Sequence, residues 1–125
     1  VATWADRLYA DLIQTRDEYR VIHSWYRTLM GGESIRCPSP DFVLHRPNYE
    51  IPGELAALHS IYDRYLAACD LVDGGAELVG PLDRIQLLCS EHKDIGWQDM
   101  QFGITKLDEA EGRFEGLVWE LEQLR

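Results

Sequence analysis

The sequence predicts an all-α protein, an up-and-down bundle of four helices, and three observations predict it. Apolar residues recur at intervals of three and four over several long stretches. Glycines and prolines separate those stretches. No segment outside Phe42 to Leu44 alternates apolar and polar residues like a strand. Helical periodicity gives each segment one face to bury, and segments sharing such faces associate as a bundle.

The first helix is carried by Leu8, Leu12, Thr15, Tyr19, Ile22, Tyr26 and Leu29, spaced four-three throughout. Trp4, Ile13 and Trp25 widen the stripe, and Asp6, Arg7, Asp11, Arg16, Asp17, Arg20 and Arg27 fill the wet side. Thr3 is the expected N-cap, with Asp6 completing a weak capping box. Gly31 and Gly32 end the helix, because glycine accepts the left-handed cap conformation.

The second helix repeats the pattern with Leu55, Leu58, Tyr62, Tyr65, Cys69 and Val72. Pro52 and Glu54 suit its first turn, where a missing N–H costs nothing and the helix dipole favours an anion. Gly74 and Gly75 stop it. A third segment follows Pro81 with Leu82, Ile85, Leu88 and Cys89, then His92 and Lys93 at its C-terminal end and Gly96 as its cap. The last carries Met100, Leu107, Ala110, Phe114, Leu117, Leu121 and Leu124, backed by Glu109, Glu111, Glu115, Glu120 and Glu122 on a solvated side. Joined, the third and fourth segments would run about 66 Å, against about 45 Å for the first helix. A break near Gly96 matches the lengths better; three long helices, the last one kinked, is the alternative.

Gly31 to Ile51 is a long connection for a bundle, where about 2 to 8 residues is usual. Pro38, Pro40 and Pro47 stiffen it. Cys37, Phe42, Val43, Leu44 and Tyr49 are too apolar for an idle linker, so the loop is expected to lie ordered against the helices. It is either a structural cover or a recognition loop that binds through Phe42, His45, Arg46 and Tyr49, since binding residues often sit on loops held by a rigid scaffold. Cys37 has two partners within reach, Cys69 and Cys89. The expected bridge is Cys37–Cys69; three buried free thiols is the alternative.

The 125 residues fit a single helical domain spanning 1–125. The formal net charge is −10, which repels nucleic-acid phosphates and anionic lipid heads. Cationic peptides, metal ions and basic protein patches stay compatible with that surface. No apolar run of about 18 residues is present to span a membrane. All basic residues but Lys93 and Lys106 are arginine and Asn48 is the sole asparagine, a skew typical of GC-rich, often bacterial, coding sequences.

No nucleotide-binding, triad or cofactor motif occurs, and no Glu-x-x-His pair of the di-iron type, so no cofactor is expected. His23 and His59 neighbour stripe residues and read as edge or hydrogen-bonded core histidines. Two acid pairs stand at i, i+3: Glu91 with Asp94, and Asp108 with Glu111. Such pairs can hold a divalent cation through carboxylates. Gly112-x-x-x-Gly116 places two glycines on an exposed-looking helix, which is expected to be a close-contact surface for the loop, another helix or a partner chain.

The leading functional expectation is a non-enzymatic interaction or structural module that binds a protein partner or self-associates. The alternative is a divalent-metal-dependent hydrolase of an anionic small molecule, using Glu91, Asp94, Asp108 and Glu111. From the Met-less start at Val1, an extracytoplasmic or cell-envelope location is favoured over a cytoplasmic one.

Overall fold

The computed structural model describes residues 2–73, 80–91 and 96–125. It contains four helices: α1 (Ala2–Met30), α2 (Ala56–Asp73), α3 (Pro81–Glu91) and α4 (Trp97–Leu124). There is no strand among the described residues. The fold is a helical bundle, with a long loop between α1 and α2. None of the described helices is long and apolar enough to cross a membrane.

The predicted stripes are the core. Leu8, Leu12, Tyr19, Ile22 and Tyr26 of α1 are fully buried, as are Tyr65, Ala68 and Cys69 of α2 and Leu107, Ala110, Phe114 and Leu121 of α4. Leu124, expected in the α4 stripe, is 45% exposed at the helix end. Phe114 sits between two tyrosine rings, edge-on to Tyr19 at 4.9 Å and to Tyr65 at 5.9 Å. Such aromatic pairs add about 0.5–1.5 kcal/mol beyond the area they bury.

The chain path has a feature that a plain alternation of helices lacks. Tyr9 bonds Glu122, and His23 bonds Glu111, so α1 and α4 run antiparallel. Ala57 lies beside Leu124, and Ala67 beside Arg113, so α2 and α4 are antiparallel too. Thr15 meets Tyr65, and Tyr19 meets Cys69, so α1 and α2 point the same way. The loop must therefore return along the whole of α1 before α2 can begin. Retracing α1 covers about 40 Å, well within the reach of 20 extended residues, about 66 Å.

It does so in register. Phe42 packs on Trp25, His45 bonds Glu18 and Thr15, and Tyr49 reaches Asp11, Arg7 and Trp4. Leu44 and Ile51 enter the core. At the start of this return, Glu33 N–H donates to Thr28 C=O and Gly32 N–H to Leu29 C=O. Gly32 takes φ +81° there, which its lack of a Cβ permits.

Several local expectations are corrected. Thr3 lies inside α1, not at its cap. Pro52 and Glu54 precede α2, because Leu55 N–H first closes a turn on Pro52 C=O and the helix starts at Ala56. Gly96 is the N-cap of α4, not the end of α3. His92, Lys93, Gly74 and Gly75 lie outside the described residues. Cys37 bridges Cys89, not Cys69, across a Cα–Cα distance of 5.9 Å. The reason is orientation: Cys69 faces the core with no exposure. Cys89 rides on α3, which the loop already touches where Gln86 donates to Phe42 C=O.

Two predictions follow from packing. A Cβ on Gly103 would stand 2.7 Å from the buried Tyr26 ring, whereas one on Gly112 or Gly116 would meet nothing within 4 Å. Gly103→Ala is expected to destabilise by about 1–3 kcal/mol through overpacking. Gly112→Ala and Gly116→Ala are expected to stabilise by up to about 1 kcal/mol each through helix propensity. Urea unfolding of the three variants checks the sign. Separately, reducing the Cys37–Cys89 bond, which closes a segment of sequence separation 52, is expected to cost about 2–4 kcal/mol. Urea midpoints with and without reductant measure that cost. Alkylation of the unfolded, unreduced chain should label one cysteine, Cys69.

Candidate functional site

Three regions bring polar or unpartnered groups together. The first is the loop, where sequence placed Phe42, His45, Arg46 and Tyr49. The fold strings them along the loop and gives each a partner within the chain. Phe42 is half-buried with its ring 6.1 Å from Trp25. Arg46 reaches across to Asp70 of α2 at 2.9 Å. His45 and Tyr49 converge on one carboxylate: His45 Nε2–H donates to Asp11 Oδ1 at 2.7 Å, and Tyr49 hydroxyl donates to Asp11 Oδ2 at 2.5 Å.

Around that carboxylate lies a continuous polar network. Thr15, fully buried, donates its hydroxyl to His45 C=O at 3.0 Å and stands 2.5 Å from the Tyr65 hydroxyl. Tyr65 also donates to Asp11 C=O, and Tyr62 donates to Tyr49 C=O. Arg7 covers the Tyr49 ring at 3.9 Å. Buried hydroxyls need such partners, because an orphaned one costs about 1–3 kcal/mol. The network's evident work is to hold the loop on α1.

The second region is the seam between α1 and α4. His23 is 3% exposed. Its Nδ1 is hydrogen-bonded to Glu111 at 3.2 Å, and its Nε2 lies 3.3 Å from Asp108 Oδ1. Nε2 is buried and has no hydrogen bond, because the Asp108 approach lacks the geometry for one. Asp108 and Glu111, one turn apart on α4, thus meet a histidine that sequence reading had assigned to the helix edge or core. One donor atom from each of the three lies within 4.8 Å of the other two. The i, i+3 acids were visible in sequence; their partner was not, since it sits 85 residues earlier than Asp108. The Glu91 side chain and Asp94, the other acids of that expected set, lie outside the described residues. One turn further along, Arg16 and Arg20 pair with Glu115.

The third region is a groove along the α2/α4 seam. Its centre, about 310 Å³, is lined by Arg64, Ala67, Arg113, Gly116, Leu117 and Glu120. A second depression, about 360 Å³, adjoins it toward Ala57, Trp119 and Leu124. The groove exists because small residues face each other: Ala57, Ser60 and Ala67 on α2, Gly116 on α4. No described atom fills the space above Gly112 or Gly116, so neither the loop nor another described helix makes the expected close contact there. Trp119 stands 63% exposed at the rim. Arg64 spans the groove in a two-pronged pair with Glu120, at 2.6 and 3.0 Å. That hydrogen bond holds the Glu120 carboxyl below the usual range and raises the Arg64 guanidinium. Sequence carried a partial signal for this groove: Ala57, Ser60, Arg64 and Ala67 recur at helical spacing beside the apolar stripe.

Comparison with protein-family models, with curated proteins and with solved structures finds no match to this chain.

The tyrosines make a pH-dependence prediction. Burial pushes the hydroxyls of Tyr26, Tyr49, Tyr62 and Tyr65 up from their ordinary value, and for Tyr49 the hydrogen bond to Asp11 adds to it. Each keeps its proton in the folded chain beyond the pH at which an unfolded tyrosine loses it. The unfolded state therefore gives up protons first as pH rises. Their contribution to stability is complete below about pH 10 and declines above it. Melting temperature should fall across that range, with tyrosinate absorbance rising in step with the loss of helical circular dichroism. Ionisation of these four tyrosines near the ordinary value with the helices intact would contradict this.

Proposed function

We propose that this chain is a non-enzymatic interaction module that receives a basic amphipathic helix of a partner protein in the α2/α4 groove. The observation that carries the reading is the open groove above Gly116, lined by Arg64, Ala67, Arg113, Leu117 and Glu120. Each exposed helical glycine costs roughly 1 kcal/mol relative to alanine. Nothing in the described fold offsets that cost. A helix laid into the groove would, because its side chains could approach the α4 backbone closely.

Further features support it. Helix-in-groove recognition needs apolar anchors at helical spacing, and this groove offers depressions in series along two helices. Trp119 and Leu124 are exposed beside them, and tryptophan is a frequent anchor of protein interfaces. The net charge of −10 favours a basic occupant over an acidic one through long-range attraction. The same charge opposes self-association, since a second copy would bring another −10 to the interface. The Cys37–Cys89 bridge supports an extracytoplasmic setting, where disulfides persist.

Two synthetic helical peptides with the same leucine stripe, one with lysine and one with glutamate on the polar face, test the reading by calorimetry. The lysine peptide is expected to bind and the glutamate peptide is not. Trp119→Ala should weaken binding by about 2 kcal/mol or more. Gly116→Leu fills the centre of the groove at unchanged net charge and should abolish it. Undiminished binding by that variant would reduce the effect to general charge attraction and overturn the proposal.

A further inference from the structure

We infer that His23, Asp108 and Glu111 form a binding site for a divalent first-row transition cation such as zinc. His23 Nε2 and a carboxylate oxygen of Asp108 are its protein ligands, and Glu111 orients the imidazole.

The argument begins with the imidazole's protons. A neutral histidine carries one N–H. Glu111 accepts a hydrogen bond from Nδ1 at 3.2 Å, which places the proton on Nδ1. Nε2 then presents a lone pair, in a side chain 4% exposed, to the Asp108 carboxylate 3.3 Å away. Two electron-rich atoms face each other with no hydrogen bond between them. Buried nitrogen without a partner is costly, and natural structures rarely leave one so. A cation shared by the two atoms satisfies both.

Geometry then chooses the class of cation. Zinc binds histidine nitrogen and carboxylate oxygen at about 2.0–2.2 Å. Two ligand atoms 3.3 Å apart at those bond lengths subtend an angle of about 105°, close to tetrahedral. An octahedral magnesium, with bonds of about 2.0–2.1 Å and right angles, would need them about 2.9 Å apart. A nitrogen ligand also favours a transition cation over magnesium or calcium. The off-axis approach of Asp108, which spoils a hydrogen bond, suits an ion lying along the Nε2 lone pair. Glu111 on Nδ1 repeats the arrangement by which a carboxylate fixes the tautomer of a metal-bound histidine. Asp108 is 58% exposed, so solvent has access and water completes the coordination. The site lies on the α1/α4 seam, away from the α2/α4 groove, and does not depend on what the groove binds.

The test is calorimetric titration of the intact, oxidised chain with zinc chloride and, separately, magnesium chloride. Native protein is expected to bind one equivalent of zinc at this site, to bind magnesium far more weakly, and to melt at higher temperature with zinc present. Asp108→Asn keeps size and an exposed position, so the metal-free melting temperature should not move. Its zinc affinity should fall at least about tenfold at that one equivalent. The histidine–acid pairs His45/Asp11 and His59/Asp63 are untouched by this variant, so zinc bound there would persist. His23→Gln should remove the same equivalent. Absence of zinc uptake, or uptake undiminished in Asp108→Asn, overturns the inference and leaves His23 as a structural contact between α1 and α4.

Discussion

The whole architecture depends on one directional constraint: α4 opposes both α1 and α2. A single helix can present apolar residues to two neighbours at once, and α4 does so with Phe114, wedged between Tyr19 of α1 and Tyr65 of α2. Once α1 and α2 point the same way, a short turn cannot join them. The chain must travel back along α1, and the residues that make this loop look over-built are those the return requires. Leu44 and Ile51 pin it by burial, and His45 and Tyr49 by hydrogen bonds to Asp11.

The same constraint explains why the interior is rich in hydroxyls. Four tyrosines bury their rings and still reach acceptors: Tyr19 on Cys69 C=O, Tyr26 on Pro81 C=O, Tyr62 on Tyr49 C=O and Tyr65 on Asp11 C=O. Three of those acceptors lie on a different element from the ring, and Tyr49 belongs to the loop that precedes α2. Each bond therefore fixes one segment against another at a chosen height, which purely apolar packing specifies less sharply. Net stabilisation from such a bond is modest, about 1 kcal/mol, but leaving it unmade is expensive.

How much was legible in sequence follows from the range of the physics involved. Helix existence is local, and the spacing of Leu8, Leu12, Tyr19, Ile22 and Tyr26 was enough to place α1 and its dry face. Length alone argued for a break before α4. The apolar content of the loop was enough to show that it is ordered. Direction is not local: nothing in the spacing of Leu58, Tyr62 and Tyr65 says whether α2 runs with α1 or against it. The disulfide partner was misread because Cys69 and Cys89 both sit on predicted stripes, and only the packing shows which thiol faces the core. At the candidate metal site, Asp108 and Glu111 were visible as a pair on one face, whereas His23 gained its meaning only when α1 was laid beside α4. The groove was half visible, in Gly116 of a glycine pair read as a close-contact surface whose partner the sequence left open.

The Cys37–Cys89 bond encloses most of the loop, all of α2 and most of α3 within one covalent ring. A protease that cuts the backbone once inside that ring does not divide the molecule. The two fragments stay tethered, and α1 and α4 keep the antiparallel contacts that lie outside the ring. In a protease-rich environment, the bundle would take its first nick as a wound and not as a severance.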